Sequence, residues 1–166
     1  MDLRSAFEDS SCAEQRCNRL GRFALFCANN VNPWFGADEP GDRSVDATLA
    51  AVANYLDYGP GSDGQWRSQL RMALGTIPTP RNCSTDAASY AAGAAEEAAL
   101  PVLASDVEEA IDHATRAAEC AASAVYAGVY AGKFRALGDA GAEEAAEAAR
   151  TELNHQLAKW LADPRR

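Results

Sequence analysis

Lysine is nearly missing from this chain, with only Lys133 and Lys159, and there are only 2 histidines and 2 methionines. It has no C-x-x-C pair, no Gly-rich phosphate loop and no G-x-S-x-G nucleophile elbow. Each absence removes a class of function. A net charge of −9 argues against gripping a nucleic-acid backbone, because that needs a basic stripe to displace counterions. The cysteines, Cys12, Cys17, Cys27, Cys83 and Cys120, are an odd set without histidine at metal-ligand spacing. They predict free, buried or half-buried thiols in a reducing compartment rather than a disulfide framework or a zinc site. The longest apolar runs, such as 121–125, fall far short of a membrane span. Met1-Asp2-Leu3 opens an acidic, mixed segment with no export signal in view, so the expected location is cytoplasmic.

What is abundant is alanine. Between Ala87 and Ala149 it dominates, broken mainly by Glu, Asp, Tyr and Gly. Alanine is the best helix former and lets helices approach closely, so the chain is expected to be all-α. The expectation is a compact bundle of five or six helices with a long Ala-rich central helix, in one domain spanning 1–166. A first short helix is expected over 3–8, and Ser11 with Glu14 reads as a capping box for the next. That helix should stop near Val31, since Pro33 pushes Asn32 out of the helical region. Asp42 is the expected cap of a helix whose stripe is Val45, Leu49, Val52 and Leu56, ended by Gly59-Pro60-Gly61. Trp66, Leu70, Ala73 and Leu74 form a short helix closing at Gly75, and Pro78 and Pro80 make the one internal hinge. Ser84 or Thr85 caps the helix to Leu100. Ser105 with Glu108 reads as a second capping box, opening a long helix that ends at Gly138. Its inward line is Val107, Ile111, Ala114, Ala118, Ala121 and Val125, continued by Gly128 and Gly132. A last helix buries Ala146, Ala149, Leu153, Leu157 and Trp160.

Two features are candidates for function. The unit Val125-Tyr126-Ala127-Gly128 recurs as Val129-Tyr130-Ala131-Gly132. Glycine inside a helix costs about 1 kcal/mol relative to alanine, so both glycines call for a close neighbour. Packing inside the bundle is the plain account of them; the sharper one makes Tyr126, Tyr130 and Phe134 an interface ridge, since tyrosine tolerates half-burial. The second feature is the segment 29–43, read as one inter-helix connection. Trp34 and Phe35 form either a hydrophobic plug or a docking point, and Asp38, Glu39 and Asp42 offer a patch for a basic partner.

Catalysis has little to draw on. His113 follows Glu109 by one turn, and Glu152-Leu153-Asn154-His155 has Glu-x-x-His spacing only once. A di-metal carboxylate bundle needs that spacing on two helices, so no metal and no cofactor are expected. The run from Phe26-Cys27-Ala28 through Pro33-Trp34-Phe35, then Asp42-Arg43 and the helix from Ala47 to Tyr58, resembles the actinobacterial Imm-5-like immunity-protein family. The likeness extends to 114–131 and to the end near Trp160. Where that family's pattern has histidines in the Ala-rich helix, this chain has Tyr126 and Tyr130. The resemblance implies an all-helical fold and a protein-neutralising role, and supplies no catalytic residue.

The expected function is therefore non-catalytic: binding and modulating another protein, as an immunity-like inhibitor of a toxin or as an accessory subunit of a biosynthetic enzyme. Self-association is the other use of such a surface; nucleic acid and membrane are not expected partners. The alternative is a small-molecule pocket, or an enzyme, lined by Trp34, Tyr55, Trp66 and Tyr126.

Overall fold

In a computed structural model, residues 13–59, 64–79 and 82–163 are described; the expected helix over 3–8, the Ser11 box, Cys12 and Pro80 lie outside them. Five helices account for most of the described chain and there is no strand among the described residues. They are α1 (Ala13–Asp38), α2 (Ser44–Tyr58), α3 (Gln65–Leu74), α4 (Asp86–Ala99) and α5 (Val107–Ala162).

Alanine sets how these helices meet. On α4 the buried side is alanine throughout, from Ala87 and Ala88 to Ala98 and Ala99. The facing side of α5 is Ala110, Ala114, Ala117, Ala121 and Ala124, all fully buried. Two methyl-faced helices can lie nearly backbone to backbone, and that shallow seam needs bulk from elsewhere. Helix α1 supplies it. Leu20, Phe23, Val31 and Phe35 have at most 1% exposure, and α1 packs on both α4 and α5. On the far side, α2 and α3 close a smaller cluster of Val52, Leu56, Leu70 and Ala99.

Helix α5 is two arms. Gly138 has φ 70°, a left-handed conformation that breaks the helix and turns it back. The return arm then lays Leu153, Leu157 and Trp160 onto the core, where the Trp160 ring sits 5.4 Å from Phe23 and 6.1 Å from Phe26. Arginines of α1 finish other helices: Arg22 donates to the Leu56 carbonyl at 3.1 Å and to Asp57 at 3.0 Å. Such cationic donors satisfy carbonyls that a helix end leaves without partners.

Three local expectations need correction. Helix α1 does not stop near Val31 but runs through Pro33 to Asp38. Pro33 deletes one N–H, and the residue that loses it as a donor, Asn29, is exposed, so its carbonyl can turn to water. Continuing the helix buries Phe35 and half-buries Trp34, which offsets the cost of the proline. The second capping box is displaced by one residue. Asp106, not Ser105, is the cap and accepts from the Glu109 amide at 2.9 Å, while Glu109 reaches back to the Ser105 amide at 2.7 Å. The buried line of α5 is displaced in part: Ala114, Ala121 and Gly128 are buried as expected, but Ala110, Ala117 and Ala124 complete the line, while Val107, Ile111, Ala118 and Val125 are only half-buried and Gly132 is exposed.

Candidate functional site

Where α1 ends, α4 begins and the arms of α5 converge, a cleft of about 620 Å³ opens on the surface. Its floor follows from the unbroken α1. Carrying the helix past Pro33 lays the Trp34 indole across α5, where a Cβ on Gly128 would come within 2.5 Å of the ring. Only glycine leaves room for that contact. One wall is the aromatic ridge. Tyr126 and Tyr130 stack with centroids 6.2 Å apart, and Tyr130 meets Phe134 at 5.7 Å. The opposite wall is the first turns of α4, with Asp86 and Tyr90, and Asp38 reaches in from the end of α1.

Hydrogen bonds hold this corner. The Asp38 carboxylate accepts from the Thr85 hydroxyl, its carbonyl accepts from Ser84 Oγ at 3.0 Å, and the Glu39 carboxylate accepts from the Ser84 amide. Thr85 in turn caps α4 by accepting from the Ala88 amide at 3.1 Å. Asp42 accepts from the Ser44 amide at 2.8 Å, at the start of α2. On the hairpin, Tyr130 donates its hydroxyl to Asp139 at 2.6 Å, which pushes the phenol above its ordinary pKa. Arg150 lies over the Tyr126 ring at 5.6 Å and pairs with Glu147 at 2.7 Å.

The residues singled out from the sequence separate accordingly. Tyr126, Tyr130 and Trp34 come together at the cleft, and Phe134 continues the ridge beyond it. Phe35 does not belong to a surface: at 1% exposure it is core, and a partner cannot reach it in this fold. Asp38, Glu39 and Asp42 are not a free acidic patch, since each already serves a neighbouring helix start. The segment 29–43 is not one connection either, because only 39–43 lies outside helix. The need for a close neighbour holds at Gly128, met by the chain's own Trp34, and fails at Gly132, where an added Cβ would meet nothing within 4 Å. Trp34, Tyr55, Trp66 and Tyr126 do not share a pocket: Tyr55 packs on the α2–α3 cluster and Trp66 stacks on Tyr58 at 5.7 Å. Asp86, Tyr90 and Arg150 went unnoticed in the sequence, since nothing local relates residues so far apart.

Nucleophiles and metal ligands do not converge here. Among the described residues no three of His, Cys, Asp and Glu are placed to hold a metal ion. His113 sits in an ion-paired cluster, with Nδ1 2.7 Å from Glu97, whose same oxygen accepts from Arg116 Nε at 3.1 Å. The four described cysteines are free thiols. Burial pushes Cys27 up, and Cys120 up to about 11, so neither supplies a thiolate near neutral pH. Among the described residues no helix is long and apolar enough to cross a membrane.

No protein-family model, characterised protein or solved structure matches the chain.

Proposed function

We propose that this is a non-catalytic protein that binds and modulates another protein through the tip of the α5 hairpin and the adjoining cleft. One observation carries this. Residues 131–140 are exposed without interruption, although helix lies on both sides of the turn at Gly138. A helix lying on a core alternates buried and exposed positions with its own period, so a stretch exposed all round projects beyond the bundle. This projection carries Phe134 at 49% and Leu137 at 54% exposure, beside half-buried Tyr130. Apolar side chains gathered on a projecting element suit a partner more than solvent. An immunity-like inhibitor and an accessory subunit are both versions of this reading, and each needs only such a surface.

The test is native co-purification with the wild-type chain and with Tyr130→Ala/Phe134→Ala. A partner held by the first and released by the second, from chains that melt alike, supports the proposal. Identical retention by both moves the binding surface elsewhere. A second reading has an observation of its own. A cleft of about 620 Å³ with aromatic walls falls within the usual size of small-molecule sites, roughly 300–1,000 Å³.

A further inference from the structure

The cleft has a chemical preference that its shape alone does not reveal. Four aromatic side chains line it: Trp34 on the floor, Tyr126 and Tyr130 on one wall and Tyr90, 44% exposed, on the other. Ring faces carry the negative side of the aromatic quadrupole and attract ammonium or guanidinium groups. The cleft already contains one instance, since the Arg150 guanidinium lies 5.6 Å from the centre of the Tyr126 ring.

Charge points the same way. Asp38 and Asp86 both line the cleft. Asp38 holds the Thr85 hydroxyl through one carboxylate oxygen, whereas Asp86 makes no side-chain hydrogen bond or ion pair among the described residues. Arg150 brings the one positive side chain of the lining, and Glu147 neutralises it at 2.7 Å. An anion is the competing occupant, because the amide end of α4 also opens here. That end is already answered by the Thr85 cap, which takes the Ala88 amide, and by the carboxylate of Asp86 in its first turn. The remaining charge of the cleft is negative, as is that of the whole chain at −9.

We infer that the cleft is a receptor for an organic cation, an alkylammonium or guanidinium group seated between Tyr90 and the Tyr126–Tyr130 wall with Asp86 as its counter-charge. This rests on the reading of the cleft as a binding surface. Such a group could arrive on a free small molecule or on a basic side chain of a partner protein, and the chemistry recognised is the same.

The experiment is calorimetric titration of the full chain at constant ionic strength with two pairs of probes. Choline is compared with its neutral isostere 3,3-dimethylbutanol, and a blocked Gly-Gly-Arg-Gly-Gly peptide with its citrulline counterpart. The expected result is saturable binding of a cation and at least threefold weaker binding of its neutral twin. Asp86→Asn and Tyr90→Leu, the second keeping apolar bulk while removing the ring, should each weaken the cation by roughly threefold to thirtyfold. Asp112→Asn, which removes an equal charge away from the cleft, should leave binding within twofold. Tighter binding of the Arg peptide than of choline assigns the cation to a protein side chain, and the reverse order assigns it to a small molecule. Neutral twins binding as well as the cations, or neither cation saturating at millimolar concentration, overturns the inference. If a partner is still lost from Tyr130→Ala/Phe134→Ala in that case, the protein-binding proposal stands without it.

Discussion

The first arm of α5 is one continuous helix with two characters. From Ala110 to Gly128 it shows a buried line of alanines facing α1 and α4, and from 131 to the break at Gly138 no position is buried at all. The inner stretch is specialised for closeness, with small side chains and a tryptophan pressed on a glycine. The outer stretch carries larger apolar groups, Phe134 and Leu137, about half of whose surface the fold leaves exposed. A chain selected only to be stable would place its bulky residues in the seam and its alanines outside. The reversal suits the inner stretch to folding and, under the function proposed above, leaves the outer one for a partner.

Substitutions can break that division. Phe23, fully buried against Trp160, should cost about 3–5 kcal/mol when truncated to alanine. Phe134→Ala should change the stability of the isolated chain by less than about 0.5 kcal/mol. Chemical denaturation of the two variants reads both, and comparable losses would mean that the tip is core. The glycines give a finer contrast. Gly128→Ala drives a methyl into the Trp34 ring and should destabilise by about 1–3 kcal/mol. Gly132→Ala meets open space and should stabilise by about 0.5–1 kcal/mol through helix propensity. Melting temperatures moving in opposite directions would place the border between the two characters within one helical turn.

The smallest effect concerns acid. Hydrogen bonds from the Ser105 amide and hydroxyl hold the Glu109 carboxyl below its usual pKa. A carboxyl more acidic in the folded chain adds stability above its unfolded pKa, and that contribution disappears as pH falls through the folded value. Wild type should therefore lose more stability than Glu109→Gln as pH drops below the ordinary glutamate range. Parallel acid titrations of the two would show instead that the cap contributes nothing through charge.

Much of the core was legible in the sequence. Val45, Leu49, Val52 and Leu56, and likewise Leu153, Leu157 and Trp160, repeat at helical spacing and are buried as that spacing requires. The helix through Pro33 was not legible, because a local rule about proline says nothing of the burial that Phe35 gains by ignoring it. The capping box shifted by one residue for a similar reason: Ser105 and Asp106 are both good caps, and α5 begins at the second. The acidic turn misled because carboxylates look free in a sequence until the helix starts they serve are brought beside them. The cleft was half legible. Trp34, Tyr126 and Tyr130 stood out as unusual residues, while Asp86, Tyr90 and Arg150 join them only through the packing of α4 and the return at Gly138.

Amide hydrogen exchange across the hairpin, compared between the isolated chain and the chain bound to its co-purified partner, tests the central claim most directly. The account predicts that amides of 128–140 exchange fastest among the α5 positions in the free chain and become protected on binding, while the seam around Ala114–Ala124 is slow in both. Protection confined to α2 and α3, with the tip unchanged, would contradict it.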